Sequence, residues 1–146
     1  MLRVAMSLVI KRPVEDVWKF VTTFDNWAKM ASSQSEFRQT SEGPLGVGAI
    51  VESRRTIVGR SVKLHDIFVT DYESSRVFGM TDKTPSLQRA SQRFEFEPAP
   101  EGTRLTRSVE VELGRGRPLE PVLASLVRRS MRTEFAALKR LVEAGG

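Results

Sequence analysis

Cysteine is absent from this chain of 146 residues, and histidine occurs once. Without cysteine there is no disulfide framework, no thiolate metal site and no sulfur nucleophile. The single histidine, His65, has no companions at metal-ligand spacing, so no metal site and no cofactor is expected. Apolar runs are short, well under the ~20 residues that a helix needs to span a bilayer. The N-terminus alternates Val4, Met6, Leu8 and Ile10 with Arg3, Ser7 and Lys11, the habit of a strand and not of a signal peptide. No nucleophile-elbow pattern occurs. Gly43–Gly48 holds three glycines but lacks the Lys-Ser/Thr ending of a phosphate loop, and it reads as a turn between strands. Internal repeats, low-complexity tracts and linkers are missing too. What remains is one expected domain over 1–146, long enough to bury a core, with a cytoplasmic location as the expectation.

Positive charge is present and uneven. The net charge is +5, and from Arg115 onward seven Lys/Arg face three Glu. Arg128, Arg129, Arg132, Lys139 and Arg140 share one side of a long helical pattern at 116–146. They read as a solvated helix face or as a contact for an anionic membrane surface. Aromatic residues are not interleaved with these charges, so no nucleic-acid partner is expected. The opposite side carries Leu123, Leu126, Val127, Met131, Phe135, Leu138, Leu141 and Val142 on one arc, with Glu134 near its middle.

Between the termini the signals change twice. A strand near Arg3–Lys11 ends before Pro13, which suits the first turn of a helix holding Val14, Val17, Trp18 and Val21. Thr22 or Thr23 can cap a second short helix with Phe24, Trp27 and Met30; both tryptophans read as core of these helices. Period-two patterning then predicts strands near Ser35–Ser41, Ala49–Val58, Arg60–Tyr72, Arg76–Thr81, Leu87–Glu97 and Thr103–Leu113, joined by short polar turns. The order strand, two short helices, six strands, long helix is α+β with an antiparallel meander.

Several stretches resemble the START-related SRPBCC superfamily, the helix-grip proteins that include polyketide cyclase/dehydrase-like and lipid-transfer members. They are Ile10-Lys-Arg-Pro-Val-Glu-Asp-Val-Trp-Lys-Phe-Val21 with Phe24–Trp27, Gly43-Pro-Leu-Gly-Val-Gly48, Val69–Tyr72, Phe94-Glu-Phe-Glu-Pro98 with Gly102-Thr-Arg-Leu-Thr106, and the closing Leu138-Lys-Arg-Leu-Val-Glu143. The resemblance implies a seven-stranded antiparallel sheet wrapped around a long C-terminal helix, with two short helices after the first strand and a largely apolar cavity between sheet and helix. It carries no catalytic signature over.

Strand alternation proposes the side chains that face such a cavity. In the last strand Leu105, Arg107, Val109, Val111 and Leu113 share a face. In the strand before it Ala90, Gln92, Phe94 and Phe96 do so, and in the long central strand Val62, Leu64, Asp66 and Phe68; any bulge would reverse part of that assignment. His65 falls on the other side and reads as a surface residue. Glu134 has no basic residue three or four positions away, and Arg107 is the partner expected for it, because a buried carboxylate needs one. Either that pair ties helix to sheet, or it forms the polar floor of a pocket, or Glu134 stands in solvent at a cavity mouth.

Three functions follow. The first is binding or transport of a small hydrophobic, lipid- or polyketide-like ligand, lined by Met6, Leu64, Phe68, Gln92, Phe94, Phe96, Arg107, Val109, Val127, Met131, Glu134 and Phe135. The second is a polyketide cyclase, aromatase or dehydratase in which Glu134 or Asp66 is the acid or base and Arg107 stabilises an enolate. The third is an interaction module that uses the basic helix face. Both pocket readings need a cavity above roughly 100 Å³, itself well below the usual pocket range.

Overall fold

In β1 (Leu2–Ile10) alternate side chains are apolar, and Leu2, Val4 and Ile10 are buried on one face. Pro13 stands at the N-cap of α1 (Val14–Val21), whose first turn carries Glu15 and Asp16 at the positive end of the helix dipole. A 3₁₀ turn (Phe24–Asn26) runs into α2 (Trp27–Met30). The expected threonine cap does not form. The hydroxyls of Thr22 and Thr23 donate backwards instead, to the carbonyls of Trp18 (2.8 Å) and Lys19 (2.6 Å), because a short side chain can bond the carbonyl four residues earlier as readily as a following N–H.

Strands β2 (Glu36–Gln39), β3 (Ile50–Ile57), β4 (Arg60–Glu73), β5 (Val77–Asp82), β6 (Ala90–Ala99) and β7 (Gly102–Val111) precede α3 (Glu120–Glu143). The structure, a computed structural model, describes residues 2–30, 36–57, 60–82, 90–111 and 120–145; within these, only the backbone of 28, 36, 55–57, 60–66, 90, 120 and 123 is described. The seven strands form one antiparallel sheet in the order β1-β7-β6-β5-β4-β3-β2. Strands β2 to β7 pair with their neighbours in sequence, and β1 closes the sheet against β7 from Leu2↔Val111 to Ile10↔Thr103. This is the α+β helix-grip arrangement, with α3 lying against β1, α1 and α2. Gly43 and Gly48, at φ +90° and +89°, turn the β2–β3 connection through the left-handed region that favours glycine.

Strand β4 carries two bulges. Val51 pairs with Ile67 but Ser53 with Leu64, so His65 and Asp66 together stand opposite Glu52. Val69 pairs with Met80 but Asp71 with Gly79, leaving Thr70 extra. Each extra residue moves the following side chains to the other face. Ile67 and Val69 are therefore the buried residues of this stretch, and Phe68, expected inside, is half-buried on the opposite face.

Two apolar clusters divide the interior. The larger gathers Trp18 and Trp27 from the short helices, Phe78, Phe94, Phe96 and Leu105 from the sheet, and Phe135, Leu138 and Val142 from the C-terminal half of α3. Trp18 meets Tyr72, Phe78 and Phe96 edge-on, and Trp27 packs on Phe37 and Phe94 while its indole N–H donates to the Val21 carbonyl at 2.7 Å. The smaller cluster joins Leu2 and Val4 to Ala124 and Met131 of the N-terminal half of α3. Leu126, expected on the buried arc, is exposed. It lies one residue, about 100° of helix rotation, from Val127, and that rotation carries it off the face turned to the sheet.

Candidate ligand-binding site

A cavity of about 220 Å³ opens between the sheet and the N-terminal half of α3. It lies where β5 ends, β6 begins and β7 ends, away from the short helices. Alternation along β7 turns Arg107, Val109 and Val111 into it, and β6 contributes Gln92. From α3 come Val127, Ser130, Met131 and Glu134, spaced three or four residues apart on one face. Met80 and Asp82 of β5, Ile67 of β4 and Phe37 of β2 form the far wall.

Arg107 is the centre of this site. It is only 9% exposed and is the one cation among the described lining residues. Its Nη1 donates to Glu134 Oε2 across the cavity, and its Nη2 donates to Gln92 Oε1 at 2.9 Å. The second bond follows from register: Phe94 stands directly opposite Arg107 and Gln92 opposite Val109, so Gln92 is the diagonal neighbour on the same face. The guanidinium carbon also sits 5.2 Å from the centre of the Phe94 ring, a cation–π distance. Nε is buried without a partner among the described residues. Two of the five guanidinium N–H groups are thus engaged by these side chains.

Of the residues expected from sequence, the fold brings Gln92, Arg107, Val109, Val127, Met131 and Glu134 to one cavity. Met6, Phe94, Phe96 and Phe135 do not line it. The two phenylalanines of β6 and Phe135 are taken up by the tryptophan-centred cluster, which fills that half of the grip. Phe68 is turned away by the first bulge of β4, and Ile67 takes its place. The side chains of Leu64, Asp66 and His65 lie outside the described residues. Sequence reasoning did not name Phe37, Ile67, Met80, Asp82, Ser91 or Ser130 as lining, whereas Val111 was placed on the cavity face by alternation without being included among the ligand contacts. Ser130 was legible, since it lies one turn from both Val127 and Glu134; Met80 and Asp82 follow from the alternation of β5.

The sequence profile of the family described as polyketide cyclase/dehydrase and lipid transport matches residues 1–143. The chain belongs to this family. Its fold is also that of several solved structures. A START superfamily protein from Mycobacterium smegmatis superposes with a TM-score of 0.81 at 17% identity, over 99% of each chain. The di-domain ARO/CYC StfQ from the steffimycin biosynthetic pathway gives 0.78 at 12% identity, over 99% of this chain and 52% of that one. Ara h 8.0201 gives 0.75 at 16% identity, over 97% of both. At such identities the likeness concerns the fold. No curated protein matches the sequence. Membership in the polyketide cyclase/dehydrase and lipid transport family supports hydrophobic-ligand binding or cyclase roles in general terms.

Proposed function

We propose that this chain binds a small, mainly apolar molecule bearing an uncharged oxygen, a hydroxyl or carbonyl, in the cavity between the sheet and α3, as a carrier or sensor. The observation that carries this is Arg107: buried at the cavity wall, its charge balanced by Glu134, with N–H groups still to be used. A ligand carboxylate would have to displace Glu134 or lie beside it, whereas a neutral oxygen accepts from the guanidinium without either cost. Phe37, Ile67, Met80, Val109, Val127 and Met131 supply the apolar walls. The volume sets the size. A dry cavity of ~150 Å³ holds benzene, so about 220 Å³ suits one or two fused rings.

Calorimetric titration with 2-naphthol and 2-naphthoate tests the reading. The alcohol binds, the carboxylate binds at least several-fold more weakly, and Val127→Phe abolishes both by filling the space. Equal affinity for the two, or binding untouched by Val127→Phe, contradicts it.

A second reading rests on the same pair. A carboxylate and a guanidinium facing one cavity could serve as acid/base and enolate stabiliser for a polyketide-like substrate. Turnover of such a substrate, lost in Glu134→Gln with the fold intact, would select this reading over simple binding.

A further inference from the structure

Val122 and Leu126 are 57% and 58% exposed, two of the three large apolar side chains left in solvent among the described residues. They begin a stripe along the outer side of α3 that continues through Arg129, Thr133, Ala136 and Arg140, every member exposed. Steps of four and three residues keep the stripe in line. Arg132 lies to one side of it, with Arg128 further round on that same side, and both are exposed as well. Arg128, Arg129 and Arg132 have no ion-pair partner among the described residues, while Glu134 and Glu143 are occupied elsewhere, with Arg107 and with Lys139 and the Lys11 amide. From Pro121 to Thr133 the sequence contains no acid.

We propose that this outer face of the N-terminal half of α3 docks on an anionic lipid bilayer. An apolar pair beside three unneutralised arginines matches the two layers of such a surface, acyl chains below and negative headgroups above. Nucleic acid would satisfy the arginines and leave Val122 and Leu126 without an apolar sink. Docking is peripheral: among the described residues no helix is long and apolar enough to cross a membrane. The placement has a second consequence. Val127, Ser130 and Met131, on the inner side of the same turns, line the cavity, so a docked helix sets the ligand space directly behind the membrane surface. The inference does not depend on which ligand the cavity takes.

Vesicle flotation of the whole chain tests it, with phosphatidylcholine vesicles against vesicles holding about 30% phosphatidylserine. The chain floats with the anionic vesicles and not with the neutral ones, and ~0.5 M salt releases it by screening. Each arginine near such a surface contributes about a fivefold factor in affinity, so replacing Arg128, Arg129 and Arg132 with Gln lowers binding at least tenfold. Val122→Ser with Leu126→Ser also lowers it, at unchanged circular dichroism. The distant, exposed Arg76→Gln serves as a control and leaves binding unchanged. Equal flotation with both vesicle types, undiminished binding by the triple arginine variant, or tighter capture by duplex DNA at the same salt overturns the proposal.

Discussion

Arg107 of β7 and Glu134 of α3 meet across the cavity and form a link between the sheet and the helix that covers it. Their side chains keep only 10% and 19% of their exposure, so neither charge is well hydrated on its own. Glu134→Ala leaves the guanidinium buried without its counter-ion and should cost about 2–4 kcal/mol. Arg107→Met combined with Glu134→Leu should return to within about 1 kcal/mol of the parent, since an apolar pair of similar size needs no compensation. Urea unfolding of the single and double variants measures both. A double variant as unstable as Glu134→Ala would show instead that the ion pair is a net stabiliser.

Ser53 offers the opposite case. It is fully buried on β3, and its hydroxyl has no partner among the described residues. Removing an unsatisfied buried donor relieves a penalty of about 1–3 kcal/mol while losing little packing. Ser53→Ala is therefore expected to leave stability unchanged or raise it, read as a shift in the urea midpoint. A clear loss of stability would mean that the hydroxyl has a role that its surroundings do not reveal.

Gly102 opens β7 at φ +149°, where a Cβ would stand 2.2 Å from the Ile10 carbonyl oxygen and 2.7 Å from the Arg12 nitrogen. Both obstacles are backbone, pinned further by the bond from Thr103 Oγ1 to the Arg12 carbonyl at 2.8 Å. Gly102→Ala should cost at least about 3 kcal/mol and appear in thermal unfolding as a large fall in Tm. A shift of only a degree or two would show that the end of β1 yields easily.

Trp18 tests the division of the interior. It packs edge-on against three aromatic rings but does not line the cavity. Trp18→Ala should lose about 3–5 kcal/mol of stability and leave 2-naphthol affinity within about threefold, provided binding is measured well below the melting transition. Loss of affinity at intact fold would place the ligand deeper in the grip than the cavity lies.

Much of this site was legible because alternation and helical spacing are local rules. Arg107 stands among Leu105 and Val109 in one strand, and Glu134 among Met131, Phe135 and Leu138 on one helix face. A charge on each of two apolar surfaces that must pack together needs a partner, and that requirement alone points to the pair. Gln92 followed from the same reasoning. Phe68 was misplaced because a bulge leaves no mark in the side chains around it; only pairing with the neighbouring strand reveals the extra residue. The phenylalanines of β6 were misplaced for another reason. Their face was read correctly, but the tryptophans that occupy the space beside them come from helices far away in sequence.

The two bulges of β4 make that strand behave like a message with two frameshifts. The first inverts its side-chain order and the second, at Thr70, restores it, so Tyr72 again joins the aromatic interior beside Trp18. Deleting Thr70 would therefore take out only the extra residue, leaving Asp71 opposite Gly79 and Tyr72 opposite Phe78, whereas deleting a regularly paired residue such as Tyr72 would break the register of all that follows it in the strand.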